Sequence, residues 1–489
     1  MLELKPFIYQ FRTLGRHYIF DVNTNRIINV SREVYNYLDG KADEIQPSSQ
    51  AEINKMVNAG FLSDKRIKEI LHPASNNLEY ILDSALEKIT LQVTQQCNLR
   101  CGYCIYSGDH YKNRTHQSKK MSFDMAKRGI DHLIAHSQDS NKLNIGFYGG
   151  EPLLEFELIK SCVAYAKEKA EGKEVSFSIT TNATLLTEEI IDYLSENNIM
   201  LTISLDGPRE IHNRHRRFAG NGAGSFDKII KDMENLRKKY PGYFEKIFFN
   251  IVLDPTSDFK CVSEFFLNYD AVKDSNQLAN LPSTQYSKAS IEVNENFSEE
   301  YGYEFFKVFL YKLGRLEKKY VSNLNLSYFE RLKSHYHDKR TPSSGFFDYG
   351  HPGGPCIPGQ MRLFMDVDGV FYPCERISEA SNVMKIGSLD EGFDIGKCLQ
   401  ILNIGKITEQ SCKNCWAFRY CTQCAAFADD TKSLTPEKRL MHCEDVRRDV
   451  GDYFRNYCTL LELGYDFDGE DPVLMQISKE QGGIWEYGT

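Results

Sequence analysis

No apolar run in these 489 residues reaches the roughly 20-residue length of a membrane span, and Met1-Leu-Glu-Leu-Lys5 lacks a basic-then-apolar export signal. A membrane-embedded chain and a secreted one are both set aside. Internal repeats and low-complexity tracts are missing as well, which argues against a repeat architecture. Positive charge is in deficit. With 59 Lys and Arg against 68 Asp and Glu, the net charge of -9 argues against a nucleic-acid backbone as partner. What is present is material for real cores, 41% hydrophobic and 12% aromatic residues, in a length that predicts two or three domains. Fourteen cysteines stand out. In a long chain without an export signal they point away from disulfides and toward metal or redox chemistry in a reducing compartment, so a cytoplasmic location is expected.

Three of them fall in Thr94-Gln-Gln-Cys97-Asn-Leu-Arg-Cys101-Gly-Tyr103-Cys104, directly after the apolar run 89–94, which reads as a strand. A CxxxCxxC spacing offers three soft thiolates to one iron-sulfur cluster and leaves one iron without a protein ligand. A zinc site would call for four tetrahedral ligands, commonly two CxxC-like pairs, and no fourth is near. This triplet resembles the signature of radical S-adenosylmethionine (SAM) enzymes. The resemblance implies that the free iron chelates the amino and carboxylate groups of SAM and that a cluster electron breaks its S–C5′ bond to give a 5′-deoxyadenosyl radical. Tyr103 then takes the place of the family's aromatic residue near the adenine.

Further motifs follow in strand order. The run 142–148 ends in Gly149-Gly150-Glu151-Pro152, similar to the family's GGEP element, where glycines would let backbone approach the SAM methionine moiety and carbonyls or Glu151 would accept its ammonium. The strand pattern 175–180 runs into Thr181-Asn182, and 200–205 into Asp206-Gly207-Pro208; both resemble family elements whose polar tips suit the SAM ribose and carboxylate or the substrate. Ile211-His-Asn-Arg-His-Arg216 resembles an HDxxR element with Asn213 in place of the acid. Arg216 could pair with a carboxylate of SAM or peptide, or form a solvated basic lip. The resemblance therefore makes Tyr103, Gly149, Gly150, Glu151, Asn182, Asp206 and Arg216 the expected SAM contacts, with no residue assigned as catalytic acid or base.

A second constellation lies toward the carboxyl end: Cys356, Cys374, Cys412, Cys415, Cys421, Cys424 and Cys443, spaced C-x17-C and then C-x2-C-x5-C-x2-C-x18-C. On spacing alone a zinc ribbon would also suit the CxxC pairs. The pattern resembles the SPASM domain, the auxiliary-cluster module of radical SAM enzymes that modify peptides and proteins. The resemblance implies one [4Fe-4S] cluster on Cys412, Cys415, Cys421 and Cys443 and another on Cys356, Cys374 and Cys424, three clusters in all. Seven thiolates leave an eighth ligand open, to be met by Cys398, another group or substrate. Cys162 and Cys261 fall on amphipathic helix patterns as small buried hydrophobes. Cys458 has no evident partner.

Residues 1–80 read as a separate module: strand patterns at 7–11, 17–21 and 26–30, a helix capped by Ser31, and two further helical stretches through Leu71. The arrangement resembles the winged-helix-like recognition domain of ribosomal peptide maturases, which adds a precursor leader as an extra strand. The segment 72–77 is the expected linker. Six strand patterns, 89–94, 142–148, 175–180, 200–205, 247–253 and 289–293, predict an α/β fold with a partial (β/α)6 TIM-type barrel over 81–297. A helical bridge at 298–344 and the SPASM module with its tail at 345–489 complete the chain. Taken together, the resemblance implies a radical SAM maturase that installs thioether crosslinks, of the sactipeptide or ranthipeptide kind, in a Cys-rich precursor peptide. Its expected partners are the leader and a low-potential flavodoxin or ferredoxin, with no nucleic acid and no membrane. Carbon–carbon crosslinking, sulfatase-type protein maturation and a non-enzymatic iron-sulfur or zinc scaffold are the alternatives.

Overall fold

Alternating apolar residues open the chain and become three short strands, β1 (Ile8–Arg12), β2 (His17–Asp21) and β3 (Arg26–Val30), joined as an antiparallel meander in the order β1-β2-β3. They belong to a computed structural model that describes residues 5–42, 44–106, 114–170, 172–282, 285–286, 292–338, 348–353 and 356–469. The hydroxyl of Ser31 accepts the amide of Val34 and starts α1 (Arg32–Leu38); Pro47 sits in the first turn of α2 (Pro47–Asn58), where its missing N–H costs nothing. One face of the sheet closes on these helices through Ile19, Val30, Val34, Ile53 and Met56. The expected third helix is absent. The amide of Phe7 and the side chain of Asn23 both donate to the carbonyl of Ser63, tying the segment after α2 to the start of the sheet in extended form. It ends in the two-residue strand β4 (Glu69–Ile70). The expected linker is an ordered joint: the amide of His72 donates to Asn403 Oδ1 at 2.8 Å, and α3 (Leu78–Ser84) follows a short 3-10 turn.

A run of strands and helices comes next: β5 (Lys88–Thr94), α4 (Phe123–Ala135), β6 (Lys142–Gly149), α5 (Phe156–Lys169), β7 (Glu174–Thr181), α6 (Glu188–Glu196), β8 (Met200–Ser204), α7 (Arg209–His215), α8 (Phe226–Lys239), α9 (Pro241–Phe244), β9 (Phe248–Val252), α10 (Phe259–Asn268) and β10 (Asn276–Asn280). All neighbouring pairs from β5 to β10 are parallel. Ile89, Leu91, Val93, Leu143, Ile145, Phe147, Phe177, Ile179 and Ile203 form the buried face beneath the helices. The opposite face is polar. There the Asn144 amide donates to Ser176 Oγ at 2.9 Å and the Ser178 hydroxyl to Asn144 Oδ1 at 3.0 Å. The interior of a complete barrel is normally filled by bulky branched residues, so hydroxyls and amides here mark a lumen built for a polar occupant. The sixth strand is a correction: it is Asn276–Asn280, held by its register with Phe248–Val252, while most of the expected strand at 289–293 lies outside the described residues.

The remaining elements are α11 (Glu295–Lys312), α12 (Asn323–Leu332), β11 (Tyr349–Gly350), β12 (Leu363–Met365), β13 (Val370–Tyr372), β14 (Gly387–Ser388), β15 (Gly392–Phe393), α13 (Ile395–Leu402), α14 (Glu409–Lys413), α15 (Pro436–Met441) and α16 (Cys443–Glu462). β12 pairs parallel with β5, so the barrel sheet continues into the cysteine-rich region in the order β10-β9-β8-β7-β6-β5-β12-β13-β14-β15. β11 pairs with β4. The amino-terminal sheet turns its second face to this region, where Phe7, Phe11, Tyr18 and Phe20 share a core with Tyr336, Phe454 and Tyr457, and Tyr9 stacks on Trp416 with ring centres 3.6 Å apart. Among the described residues no helix is long and apolar enough to cross a membrane.

Candidate active site

The loop carrying Cys97, Cys101 and Cys104 leaves the end of β5 and is held there by the Gly149-Gly150 turn after β6. Gly150 N donates to Thr94 O at 2.9 Å and Glu151 N to Gln96 O at 2.8 Å. A Cβ on Gly149, whose φ is +149°, would lie 2.1 Å from Thr94 O, and one on Gly150 would lie 2.0 Å from Gln96 O. The glycines are therefore required by the close approach of the thiol loop's own backbone, a different reason from the expected approach to SAM. Glu151 is completely buried. Its Oε1 accepts from Leu153 N (3.0 Å) and the Thr181 hydroxyl (2.6 Å), and its Oε2 from Asn182 N (2.8 Å). Both oxygens are thus engaged within the protein, which makes Glu151 a brace between the ends of β6 and β7. Burial pushes its carboxyl up to about 7, although the three donors pull the other way.

The three thiols are mutual electrostatic neighbours, and each meets a protein N–H. Leu99 N donates to Cys97 Sγ and Tyr106 N to Cys104 Sγ, both at 3.4 Å; Arg216 Nη1 lies 4.0 Å from Cys101 Sγ and the Asn182 amide 3.8 Å from Cys97 Sγ. Such donors would tune a cluster held on these sulfurs. Burial raises the Cys97 thiol to about 12 and that of Cys101 to about 11, with Arg216 drawing the latter down. Ligation of a cluster here releases protons.

Asp206 and Arg216 prove to be each other's partners. The guanidinium forks onto the carboxylate, Nε to Oδ2 at 2.8 Å and Nη2 to Oδ1 at 3.2 Å, with both side chains buried. Arg216 is neither a solvated lip nor an unpaired cation awaiting a ligand. The Tyr103 hydroxyl also donates to Asp206, and Val252 N donates to its Oδ1 at 3.1 Å. Burial opposes ionisation of Asp206, and Arg216 outweighs it, holding the carboxyl below its usual range. The Arg216 guanidinium lies 5.4 Å above the Tyr103 ring, so the expected adenine neighbour is fixed from two sides. Asn213, where an acid was expected, accepts Phe226 N at 3.1 Å and caps α8 in place of Ser225.

In the second constellation Cys412, Cys415, Cys421 and Cys443 line one cavity of about 210 Å³, several times the ~30 Å³ share of a water molecule. Thr408 Oγ1 lies 3.2 Å from Cys412 Sγ, and the Gln423 amide donates to Cys443 Sγ at 3.5 Å. Cys424 is the electrostatic neighbour of both Cys356 and Cys374, which joins the other three thiols. Among the described residues no three His, Cys, Asp or Glu side chains converge as they would on a single ion, whereas the donor set and the size of the four-thiol cavity suit a cluster. Cys398 is buried on α13, with Asp394 and Lys397 as charged neighbours, in the same core cluster against which Cys374 and Cys424 pack. Cys162 is buried on α5 as expected. Cys261 is not: it lies on the exposed side of α10, 3.3 Å from Asp258 Oδ2, while Phe259, Val262 and Phe266 take the core side. Cys458 is buried on α16.

A buried network between the two thiol groups carried no signal in the sequence. The Arg114 side chain has no exposure; it pairs with Glu379 at 2.9 Å, donates to the Tyr106 hydroxyl at 3.3 Å and to the carbonyls of Glu375 (2.7 Å) and Ile377 (3.2 Å), and stacks over Phe364 at 4.7 Å. It links the segment after Cys104 to the segment after Cys374. Tyr148, the residue before Gly149, stands beside it with Cys104 and Glu375 as charged neighbours; its position on the polar face of β6 was the one available clue.

Residues 91–266, which include the first thiol loop, the glycine turn and the Asp206–Arg216 pair, match the family model described as the radical SAM superfamily. A serine-type anaerobic sulfatase-maturating enzyme of Bacteroides thetaiotaomicron is 32% identical over 143 residues, 29% of this chain and 34% of that protein. A cysteine-type anaerobic sulfatase-maturating enzyme of Clostridium novyi is 25% identical over 352 residues, 69% of this chain and 87% of that protein. The chain spans about half or less of the length of the first curated relatives it matches. The solved structure of native anSMEcpe with bound AdoMet shares the fold at a TM-score of 0.56 and 21% identity, over 77% of this chain and 98% of that one. The chain carries a radical SAM domain over residues 91–266.

Proposed function

We propose that this enzyme matures a ribosomally made peptide by joining a cysteine sulfur to a carbon. Superfamily membership brings SAM and a [4Fe-4S] cluster, for which Cys97, Cys101 and Cys104 are the thiols at the mouth of the barrel; bound there, they supply the radical that removes a hydrogen atom from substrate carbon. Closing a thioether breaks one C–H and one S–H bond and forms one S–C bond. The hydrogen atom goes to 5′-deoxyadenosine, the thiol proton to a base, and one electron to an acceptor. The observation that carries the reading is the continuous sheet: β12 beside β5, with Arg114 bridging the segments after Cys104 and Cys374, brings a second thiol-rich region against the radical site. In this reading the two auxiliary thiol groups hold [4Fe-4S] clusters, three in the whole enzyme, and take up the electron.

Peptide capture falls to the amino-terminal sheet. β3 pairs with β2 alone among the described strands, whereas β1 lies against α16, with Arg455 Nη1 3.4 Å from the Tyr9 hydroxyl; a leader would add as a strand along β3. Deleting the module would uncover Phe454 and Trp416, so the full chain is the proper test object. Sulfatase-type protein maturation is the second reading, favoured by the 25% identity that spans 87% of the Clostridium novyi enzyme. Mass spectrometry of a Cys-rich peptide co-expressed with the enzyme separates them. A loss of two hydrogens with sulfur retained and the thiol no longer alkylatable is expected; loss of the cysteine sulfur would replace the thioether reading with the second.

A further inference from the structure

The cavity shared by Cys412, Cys415, Cys421 and Cys443 has two arginines in its wall, Arg439 and Arg447, and no carboxylate. Arg439 stands in the last turn of α15 and Cys443 opens α16, so one residue, His442, separates the two helices, and Cys443 Sγ lies 3.8 Å from the Arg439 carbonyl. The Arg439 residue is 1% exposed. Its Nε donates to Thr408 Oγ1 at 3.2 Å, which leaves the hydroxyl proton for Cys412 Sγ, another 3.2 Å away. Its Nη1 is buried and has no hydrogen-bond partner among the described residues. Arg439 is a charged neighbour of Cys421, and Arg447 of Cys415. Elsewhere the arginines beside thiols are answered by carboxylates. Arg216, 4.0 Å from Cys101 Sγ, forks onto Asp206, and Arg362, a charged neighbour of Cys374, pairs with Glu375 at 2.8 Å. A buried guanidinium without a counter-ion is costly. The four thiols can make the missing charge, because a [4Fe-4S] cluster on four thiolates is a net anion whose potential follows net charge and hydrogen bonds to its sulfurs.

We propose that Arg439 is the counter-charge and a hydrogen-bond donor for the cluster held on Cys412, Cys415, Cys421 and Cys443, and that it favours the reduced form of that cluster. The inference rests on the reading above that these four thiols hold a [4Fe-4S] cluster, and it is independent of which peptide is modified. Reduction adds one electron to the cluster and no proton, so the reduced form carries one more negative charge. A fixed cation removed from water stabilises that form more than the oxidised one. Arg447 is only half-buried and its charge is better screened, so Arg439 has the larger effect.

The cluster-loaded full chain is titrated with dithionite and followed by EPR, and the signal lost in Cys415→Ala identifies the four-thiol cluster. In Arg439→Met, which keeps a long apolar stem without charge or donor, that signal is expected to appear about tenfold less readily in the one-electron equilibrium, a fall of about 59 mV. Arg439→Lys keeps the charge and is expected to fall less, and both variants should retain the wild-type iron and acid-labile sulfide. An unchanged potential in Arg439→Met at full iron content overturns the proposal and leaves the cluster reading standing. Cys415→Ala that loses no iron or sulfide overturns the cluster reading itself. A measurement on the unmutated chain covers the case in which Arg439→Met does not fold. With arginine labelled by ¹⁵N in its guanidinium, pulsed EPR of the reduced four-thiol cluster is expected to show a ¹⁵N coupling that persists in Arg447→Met, and absence of that coupling also overturns the proposal.

Discussion

The two best-formed thiol groups differ in what surrounds them. Cys97, Cys101 and Cys104 stand among hydrogen-bonding groups, with Asn182, Arg216 and two backbone amides directed at their sulfurs, and they number three. Cys412, Cys415, Cys421 and Cys443 number four and share a cavity with Phe418, Leu440 and Val446, with Thr408, Gln423, Arg439 and Arg447 as polar neighbours. A site that must admit a ligand to iron leaves a coordination position open and surrounds it with groups that orient the newcomer. One that only carries electrons is served by closure with four thiols.

Removing the three thiols breaks the comparison at its strongest point. In Cys97→Ala/Cys101→Ala/Cys104→Ala, 5′-deoxyadenosine formation is expected to vanish while the iron and acid-labile sulfide bound by the other region remain. Chromatography of the SAM products together with an iron and sulfide count checks both halves, and SAM cleavage that survives would remove these residues from the radical site. A smaller effect follows from the polar surroundings. Arg216→Ala leaves the Asp206 carboxylate buried without its partner and is expected to cost about 3–5 kcal/mol in denaturant unfolding. The matching change beside the closed site, Thr408→Ala, should cost about 1 kcal/mol. Similar losses in the two variants would erase the contrast.

The least of the three effects on the radical side is a pH dependence from Glu151. Its folded carboxyl is raised from 4.5 to about 7, so the folded state holds the proton more tightly than the unfolded chain. The associated stability is present below the unfolded value and is lost as pH rises through about 7. That difference amounts to about 3 kcal/mol at most. Unfolding curves between these limits should therefore slope downward in the wild type and flatten in Glu151→Gln; a parallel slope in the variant would assign the dependence to other groups.

Much of the site could be read from the chain because its ligands are local. Cys97, Cys101 and Cys104 share one loop, and the glycine turn and the tips of β7 and β8 follow strands whose alternation is visible in their own residues. The sixth strand was missed because Asn276–Asn280 has little of that alternation and is held by β9. The third amino-terminal helix was expected and is absent for a related reason, since the carbonyl of Ser63 is claimed by Phe7 and Asn23 from elsewhere in the fold.

By itself the amino-acid sequence determined the spacing of the thiols, the order of strands and helices from β5 to β9 and the acidic balance of the whole. These are properties of consecutive residues and need no partner to express them. Only the tertiary structure decided that Asp206 and Arg216 neutralise each other and that Gly149 and Gly150 make room for Thr94 and Gln96. The joining of β12 to β5 and the bridge made by Arg114 belong with them. Each depends on groups far apart in the chain that meet only when apolar faces pack, and the low dielectric of that packing is what makes a buried charge costly without a partner.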